Sequence, residues 1–484
     1  MKTPFRTVLV ANRGEIACRI IRTARRLGYR AVAVHMRDES AAMHVRMADA
    51  SVALDGETLA ETFLSIDAML RAAQVSGADA IHPGYGFLSE NADFAEECAR
   101  AGLVFIGPSA GSIRLMGDKG AAKQAMAAAG VPCIPGHDGE EQSETGLAQA
   151  AAGFGYPVMI KAAFGGGGRG MRLAANPAVF VELSRAAKAE ARAAFGDDRI
   201  ILEKAILDAR HVEIQVFGDR HGNAIHLGER DCSVQRRHQK LIEEAPSPAM
   251  TLQLREAMGK VSCDAVRAIG YEGAGTLEFL LGADGDFHFM EMNTRLQVEH
   301  PVTEAITGLD LVELQLRVAA GEPLGIAQAD IRFEGHAIEA RLCAEDPANG
   351  FLPQTGKIGL WRMPEALRTD TAMETGASVS QHHDSMIAKL VSHGPDRETA
   401  RRQLIAGLER ADVIGIRTNR EFLLAALSHG MFAAGGATTG FVEANLDPLT
   451  APAGDNTALF VAAAILRLPL YEMPAAPFMP FAAP

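Results

Sequence analysis

Five residues that can bind charge alternate with apolar or small residues from Glu291 to Glu299 (E-M-N-T-R-L-Q-V-E). In an extended chain successive side chains point to opposite faces, so one edge would carry both carboxylates together with Asn293, Arg295 and Gln297. An ordinary half-buried strand also alternates, but its polar side usually carries Lys, Thr and Ser. The pattern therefore indicates a binding edge for charged ligands, with a half-buried strand as the alternative.

A further carboxylate faces this edge if the preceding segment forms a hairpin. Strand-forming residues flank Asp284-Gly285, which is a strong hairpin signal. A turn centred there pairs Glu278 with Glu291. Two opposed carboxylates repel each other unless a cation lies between them, and oxygen ligands suit Mg²⁺ or Mn²⁺. Because Mg²⁺ is commonly bound together with substrate phosphates, the hairpin predicts a metal and nucleotide site.

Four consecutive glycines at 165–168 follow a predicted strand that contains Lys161. Glycine loses the most conformational freedom on ordering, so such a run is typical of a mobile loop whose backbone N–H groups wrap an anion. The spacing differs from that of a Walker A loop. A flexible linker is the alternative, and the preceding lysine favours phosphate binding.

Cations are concentrated between Arg230 and Lys240 (RDCSVQRRHQK). Such a cluster is commonly a solvated face. In an acidic chain that also has opposed carboxylates and a glycine run, it favours a pocket for a triphosphate or bicarbonate. Glu203 and Lys204, at the end of a predicted strand, are suited to the amine and ring edge of adenine, or else to a surface salt bridge.

The composition sets limits on the class of protein. The 484 residues are 48% hydrophobic and carry a formal net charge of −13. This length predicts about two to four domains, and the negative charge argues against non-specific nucleic-acid binding. Six cysteines without a C-x-x-C pair are typical of a reducing compartment. Without a signal peptide or a run of about 20 apolar residues, we expect a cytoplasmic protein that does not span a membrane.

The order of predicted elements indicates a multidomain protein of mixed α/β and α+β class. Strands and helices alternate over about the first 115 residues, which predicts a parallel α/β layer. The first strand-to-helix turn, 12–15, lacks the G-x-G-x-x-G spacing of a dinucleotide fold. The polar stretch 136–149 is predicted to be a loop. Strands predominate beyond about residue 321, and an Ala- and Pro-rich tail begins at about residue 449.

Together these segments resemble the biotin carboxylases of the ATP-grasp superfamily over about residues 5–446. The strings that carry the resemblance are ANRGEIACR (11–19), IHPGYGFLSEN (81–91), RLMGDK (114–119), GYPVMIKAAFGGGGRGM (155–171), ERDCSVQRRHQK (229–240) and EMNTRLQVEHPVTE (291–304). A single glycine run would be weak evidence, whereas six strings in the order of the family are specific.

The resemblance implies a division of the chain into four parts. They are an N-terminal biotin carboxylase domain (1–117), an ATP-grasp domain (118–320) with a mobile glycine-loop lid at about 135–206, a C-terminal mixed β domain (321–448), and a linker or the start of a truncated further domain (449–484).

The resemblance also implies roles for single residues. ATP phosphates would be held by Lys119, Lys161, Gly165, Gly166, Gly167 and Gly168, adenine by Glu203, Lys204 and Ile206, the ribose side by His211, and the nucleotide further by Gln235 and His238. Metal ions would bind Glu278, Glu291 and Asn293, in agreement with the hairpin argument. Bicarbonate would bind Lys240, Arg295, Gln297 and the backbone of Val298, with Glu299 as the base and Arg341 facing the ureido oxygen of biotin.

The implied activity is that of a ligase. ATP would convert bicarbonate to carboxyphosphate, which carboxylates biotin and leaves ADP, phosphate and N-carboxybiotin, the first half-reaction of an acyl-CoA carboxylase. Two Mg²⁺ or Mn²⁺ ions are expected. The chain has no A-M-K-M motif, so biotin is expected on a separate carrier domain or protein. A carboxyltransferase subunit and a second copy of the chain are the other expected partners.

The sequence departs from the family pattern at two places. Phe164 stands where a small residue is common, and 381–383 (Gln-His-His) precede Asp384 where a tyrosine is common. Another ATP-grasp ligase, of the carbamoyl-phosphate or purine-pathway type, would lack IHPGYGFLSEN. A non-catalytic homologue would have lost Glu299, Lys240 or a metal carboxylate, and all of these are present.

Overall fold

The computed structural model of the chain describes residues 5–137, 141–163 and 171–451. The four glycines, Phe164 and the Ala- and Pro-rich tail therefore lie outside the described residues. Within those ranges no helix has both the length and the apolar composition needed to cross a membrane.

The first part of the chain is a five-stranded sheet covered by helices. Its elements are β1 (Thr7–Val10), α1 (Gly14–Arg26), β2 (Arg30–His35), α2 (Met43–Met47), β3 (Ala50–Ala53), α3 (Ile66–Ser76), β4 (Ala80–His82), α4 (Ala92–Arg100), β5 (Val104–Phe105) and α5 (Ala110–Gly117). The strands are parallel in the order β3-β2-β1-β4-β5, as predicted. Ser65, Asn91 and Ser109 each accept a hydrogen bond from the N–H three residues on, which satisfies a free donor at the start of each helix.

The middle of the chain contains a small antiparallel sheet and most of a large one. Its elements are α6 (Lys119–Ala128), β6 (Gly136–His137), α7 (Glu144–Phe154), β7 (Val158–Ala162), β8 (Arg172–Ala174), α8 (Pro177–Phe195), β9 (Ile200–Lys204), β10 (Arg210–Gly218), β11 (Ala224–Arg236), β12 (Gln239–Ala245), α9 (Leu252–Ala268), β13 (Gly273–Leu281), β14 (Phe287–Asn293), α10 (His300–Thr307) and α11 (Leu311–Ala319). The small sheet has the order β6-β9-β7-β8, and it packs with α7 and α8 around a core of its own.

The last part of the chain is rich in short strands, as predicted. Its elements are β15 (His336–Cys343), β16 (Glu345–Asp346), β17 (Leu352–Pro353), β18 (Gly356–Lys357), β19 (Leu360–Arg362), β20 (Arg368–Thr371), β21 (Ser378–Val379), β22 (Met386–Gly394), α12 (Arg397–Glu409), β23 (Asp412–Ile414), α13 (Arg420–Ser428), α14 (Gly430–Ala433), α15 (Phe441–Ala444) and α16 (Leu446–Thr450). Helices α12 and α13 pack against β15 and β22.

The large antiparallel sheet joins the middle and last parts of the chain. Its strand order is β14-β13-β10-β11-β12-β15-β22-β20, so that β12 pairs directly with β15. Even-numbered residues of β10, such as Val212 and Ile214, lie in an apolar core with Met258 and Val266 of α9. The odd-numbered residues His211, Glu213 and Gln215 of the same strand are charged or polar and point to the other face. One face of the sheet is thus apolar, and the opposite face carries buried charge.

The prediction of a loop at 136–149 is wrong over its second half, where α7 begins at Glu144. Ser143 accepts a hydrogen bond from the N–H of Gly146 and starts the helix. Leu147 and Ala151, one turn apart, are its buried residues. The Ala- and Gly-rich composition hides this weak apolar stripe, because few side chains are large enough to mark the helical period.

Replacement of Phe279 by alanine should lower the free energy of unfolding by about 3–5 kcal/mol, the usual cost of removing a buried aromatic ring. The ring is fully buried and makes edge contacts with Phe287 and Phe289 across the β13–β14 hairpin. Chemical denaturation followed by circular dichroism measures the change. Leu252→Ala, at a side chain that is 62% exposed, is the control and should leave the midpoint unchanged. Equal midpoints for both variants would show that the hairpin does not depend on this packing.

Candidate active site

A cavity of about 810 Å³ lies between the charged face of the large sheet and the N-terminal layer, a size suited to a nucleotide-scale ligand. Loops after β1 and β4 form one wall, strands β10 to β15 the floor, and the segment before β22 the far end. Predicted site residues that line it are Lys119, Lys161, Glu203, His211, Gln235, His238, Lys240, Glu278, Glu291, Asn293, Arg295, Gln297, Val298 and Arg341. Among the described residues, Lys204, Ile206 and the fully buried Glu299 lie outside this lining.

The β13–β14 hairpin places two carboxylates opposite each other, in the predicted register. Glu278 pairs with Glu291, and Thr276 pairs with Asn293. The predicted two-residue turn is wrong, because a five-residue loop at 282–286 joins the strands and shifts the pairing near it by one residue. Met290 is an extra residue on β14 that restores the register before Glu291. A β-bulge of this kind is common next to active sites, where it re-aims a side chain.

The opposed carboxylates fit a divalent cation by the chemistry of their donors. Burial raises the pKa of Glu291, and the nearby charge of Glu278 raises it further. A cation between the two would remove this repulsion, and carboxylate and amide oxygens are the ligands that Mg²⁺ and Mn²⁺ take. Asn293 is next to them and donates to Glu278 (Nδ2–Oε1, 2.9 Å). The residues present therefore fit the expected metal.

The ammonium group of Lys240 holds three carboxylates together. Its Nζ lies 2.5 Å from Glu213, 2.8 Å from Glu278 and 2.7 Å from Glu299. Burial alone would lower the pKa of Lys240, but the three carboxylates raise it well above its ordinary range. Lys240 is thus a permanent cation at the centre of the charged face.

Arg230 is a second cation in this cluster, and it is fully buried. Its guanidinium donates to Glu213 (2.5 Å) and to Gln215 (2.8 Å), as well as to the hydroxyls of Thr303 (3.0 Å) and Thr276 (3.2 Å). The sequence marked Arg230 only as the start of a basic run. Its partner Glu213 was not predicted, although it has the same strand parity as His211, which signals the same face of β10.

Glu299 is an ionised carboxylate with no exposed surface. Burial alone would raise its pKa, but Lys240, Arg341 and Arg230 hold the pKa well below its ordinary range. Lys240 contacts one oxygen, and Arg341 donates to the other (Nη2–Oε2, 3.0 Å). The ionised carboxylate can accept a proton from a bound ligand, but its lowered pKa makes it a weaker base than an ordinary glutamate.

The strand ends at Asn293, so the predicted alternation fails beyond it, yet the polar side chains still converge. Arg295 donates to Asn293 (3.0 Å) and to Gln297 (3.0 Å). Glu90, which was not predicted, accepts from Arg295 (2.8 Å) and from the N–H of Thr294 (3.1 Å). Glu90 comes from the string IHPGYGFLSEN, and it therefore ties the N-terminal layer to this segment.

The end of the cavity next to the small sheet contains three lysines and a buried carboxylate. Lys161 Nζ lies 2.5 Å from Glu203, and Lys123 Nζ lies 3.6 Å from it. Burial lowers the pKa of Lys119, although the charge of Glu291 opposes the shift. Lys204 donates to the carbonyl oxygen of Tyr156 (2.8 Å) instead of facing the cavity. This excess of cations suits a phosphate chain.

His211 and His238 also lie at this end. His211 Nε2 lies 2.9 Å from Glu278 Oε2, and burial by itself would lower its pKa, but the charge of Glu278 raises it. His238 and Arg237 form the β11–β12 turn with φ values of +66° and +48°. Such values are uncommon outside glycine and are found at functional sites.

Residues 381–383 depart from the family pattern, and they lie at the far end of the cavity. The His383 ring makes an edge contact with Phe63, and its Nε2 lies 3.5 Å from Glu39. A histidine thus lines this wall, with partners for its ring and for Nε2, whereas its buried Nδ1 has no hydrogen-bond partner among the described residues.

A cavity that joins a cationic phosphate end, opposed metal-type carboxylates and an ionised buried glutamate is the site of an ATP-grasp ligase. Comparison with known families narrows this class. Family models described as "Biotin carboxylase, N-terminal domain", "Carbamoyl-phosphate synthase L chain, ATP binding domain" and "Biotin carboxylase C-terminal domain" match residues 4–113, 118–327 and 339–444.

Known proteins agree with these matches. The chain is 50% identical over 442 residues to the biotin carboxylase of Haemophilus influenzae, covering 91% of this chain and 98% of that protein. It is 49% identical over 471 residues to the mitochondrial methylcrotonoyl-CoA carboxylase subunit alpha of Dictyostelium discoideum, covering 96% of this chain and 67% of that subunit. It spans 61% of the corresponding subunit of Rattus norvegicus.

A solved structure is similar over the same range. The biotin carboxylase domain dimer of Hydrogenobacter thermophilus 2-oxoglutarate carboxylase, in complex with MgADP, ADP and bicarbonate, matches with a TM-score of 0.90 and 45% identity, covering 93% of this chain and 99% of that chain. The chain belongs to the biotin carboxylase family. Membership confirms the predicted fold class, ligase class and function, ATP-dependent carboxylation of biotin by bicarbonate. The N- and C-terminal matches also argue against a carbamoyl-phosphate or purine-pathway ligase.

Replacement of Arg230 by methionine should lower the free energy of unfolding by about 3–5 kcal/mol, because Glu213 would remain buried beside two other carboxylates with only Lys240 to offset them. Denaturant titration measures the loss. Adding Glu213→Gln to Arg230→Met should recover much of it, since the uncompensated charge is then removed. Arg402→Met, at an exposed surface pair with Glu398, is the control. Strictly additive losses in the double variant would contradict the pairing.

Proposed function

We propose that this chain carboxylates biotin on a separate carrier domain or protein as the first half-reaction of an acyl-CoA carboxylase, with the residues below in the roles given. The observation that carries the assignment is the ionised Glu299, held between Lys240 and Arg341 and next to the opposed Glu278 and Glu291. This arrangement supports a role for Glu299 as the base for bicarbonate, close to the carboxylates assigned to the metal and the γ-phosphate.

Bicarbonate binding is assigned to the segment after β14. Arg295 and Lys240 supply positive charge, Gln297 supplies an amide, and the backbone of Val298 supplies a further polar group. The Val298 carbonyl accepts from Lys389 (2.8 Å), which fixes the backbone there. Glu299 accepts the bicarbonate proton, so that the resulting dianion attacks the γ-phosphate and carboxyphosphate forms. A general base of this kind contributes about 10²–10⁴-fold.

Nucleotide binding is assigned to the other end of the cavity. Lys119 and Lys161 would hold the phosphates together with the glycines at 165–168, and Glu203, His211, Gln235 and His238 would frame the rest of the nucleotide. Glu278, Glu291 and Asn293 would hold two Mg²⁺ or Mn²⁺ ions. When bound, these ions neutralise phosphate charge that would otherwise repel the incoming anion.

Carboxyl transfer is assigned to Arg341. Carboxyphosphate yields CO₂ and phosphate, and the phosphate removes the proton from the weakly acidic biotin nitrogen. Negative charge then develops on the ureido oxygen, and a guanidinium facing this oxygen stabilises it. Arg341 lines the cavity and is paired with Glu299, which is buried outside that lining, so we assign both chemical steps to this end of the cavity.

The proposed reaction also requires partners for this chain. We assign biotin to a carrier domain or protein and the final acyl transfer to a carboxyltransferase subunit, with the carboxylase part acting as a homodimer in the cytoplasm. The dimer of the Hydrogenobacter domain supports the last assignment. The proposed division of the chain remains 1–117, 118–320, 321–448 and 449–484, with the lid at about 135–206.

Free biotin should stimulate bicarbonate-dependent ADP release by the purified chain. The site binds bicarbonate and nucleotide without biotin, so a slow basal release is expected, and biotin draws carboxyphosphate forward. A coupled assay for ADP with bicarbonate and biotin varied separately measures both. Bound nucleotide without any stimulation by biotin would overturn the proposed function.

Glu299→Gln and Arg341→Ala should fail at different steps. Without its base, Glu299→Gln should lose bicarbonate-dependent ADP release by about 10²–10⁴-fold. Arg341→Ala should keep this basal release, because Lys240 and Arg230 still hold Glu299 ionised, but should lose carboxybiotin formation. ADP release and transfer of labelled bicarbonate to biotin separate the two. Exposed Glu398→Gln is the control, and equal losses of both activities in the two variants would contradict the division of roles.

A further inference from the structure

Two carboxyl groups lie in the charged face beside the active site and have no part in the mechanism above. Glu243 on β12 and Glu339 on β15 are directly opposed across the strands, and both are completely buried. Among the described residues, neither carboxylate oxygen of Glu339 has a hydrogen-bond partner, and Oε2 of Glu243 also has none. Two buried carboxylates this close cannot both remain ionised without strong repulsion.

The cations around this pair are already engaged with other groups. The titratable or charged groups that face the pair are Arg341, Lys240, Lys389, Glu299, Cys232, Tyr85 and Glu15. Arg341 donates to Glu243 (Nε–Oε1, 2.5 Å) and also to Glu299. Lys389 Nζ lies 3.2 Å from Glu15 and donates to a backbone carbonyl. Glu339 is therefore left without a cation bonded to it in the described part of the chain.

The balance of charges on this face of the sheet also indicates that Glu243 and Glu339 are not both ionised. Arg230 and Lys240 stand against Glu213, Glu278 and Glu299, so Arg341 must offset part of Glu299 as well as Glu243. Burial raises the pKa of Glu243 to about 7, although Arg341 opposes the shift. Burial also raises the pKa of Glu339 well above its ordinary range, although Lys389 opposes it.

We propose that Glu243 and Glu339 share one proton across the strands and act as a positioning pair for Arg341. With one proton on the pair, Arg341 faces a single negative charge on the side of β12. The rest of its positive charge is then directed to the cavity, where the ureido oxygen of biotin becomes negative. This role rests on the proposed function of Arg341, whereas the shared proton is a property of the resting protein.

The pair gives the carboxylation step a defined dependence on pH. Both carboxyl groups are neutral more readily in the folded protein than in water, so the shared proton is present at low and neutral pH and is lost as pH rises. Its loss adds a second negative charge next to Arg341, which weakens the hold of the guanidinium on the biotin oxygen. Carboxylation of biotin should therefore fall on the alkaline side before basal ADP release does.

The shared proton can be observed directly by infrared spectroscopy of the resting protein. The wild-type spectrum should contain the carbonyl stretch of a protonated carboxylic acid at neutral pH, and Glu339→Gln should remove it. Glu244→Gln is the matched control, because Glu244 lies on the opposite face of the same strand, is ionised, and is paired with His336 and Arg397. It should leave the band in place. A wild-type spectrum without this band overturns the proposal, and that measurement needs no variant.

Kinetics distinguish a positioning role from a purely structural one. Glu339→Gln cannot ionise, so it should carboxylate biotin at neutral pH and shift the alkaline decline to higher pH. Glu243→Gln replaces the charged acceptor of the guanidinium by a neutral amide oxygen and should raise the KM for biotin by about ten- to a hundredfold, the range for one charged hydrogen bond. An alkaline decline of Glu339→Gln identical to that of the wild type would overturn the role of the pair.

The proposed function and the shared proton can be disproved separately. If the wild-type protein shows an acid band that Glu339→Gln removes but no biotin-stimulated ADP release, the proposed function is wrong and the shared proton stands. If stimulation is present and the band is absent, the proposed function stands and the proton pair is wrong.

Discussion

The contact between Lys240 and three carboxylates is the constraint on which the rest of this structure depends. Glu213, Glu278 and Glu299 come from β10, β13 and the turn before α10, and only a cation at their meeting point allows them to be buried together. The strands must keep their register for this contact to form, because a slip of one residue would turn each side chain to the apolar face. Chemistry and folding therefore place the same demand on this sheet.

The apolar face of the sheet supplies the stability that the charged face lacks. Val212, Leu277 and Phe279 pack with α9, and Ile338 and Leu342 pack with α12 and α13. Burial of such side chains contributes about 1.5–3 kcal/mol each, whereas buried ion pairs contribute little or nothing net. A strand that alternates strictly thus serves both needs, since one set of residues stabilises the sheet while the other builds the site.

Sequence reasoning reached the parts of the site that depend on local signals. The turn signal at Asp284-Gly285 led to the pairing of Glu278 with Glu291, although a longer loop and a bulge at Met290 produce it. The parallel N-terminal layer also followed from local patterns. Glu90 and Glu339 did not, because each meets its neighbours through pairing between segments far apart in the chain. Helix α7 was missed because alanine and glycine mark the helical period weakly.

The pairing of β12 with β15 has a consequence for how this protein can be divided. The strands that hold Lys240 and Arg341 are neighbours in space but nearly 100 residues apart in sequence, since Glu243 and Glu339 are cross-strand partners. A fragment that ended before β15 would keep every residue proposed to bind the nucleotide and yet expose the edge of β12, a template for association with other chains. The boundary between the middle and C-terminal parts of the sequence is therefore not a boundary between separate units of the folded protein. Recombination with a relative would have to exchange both strands together.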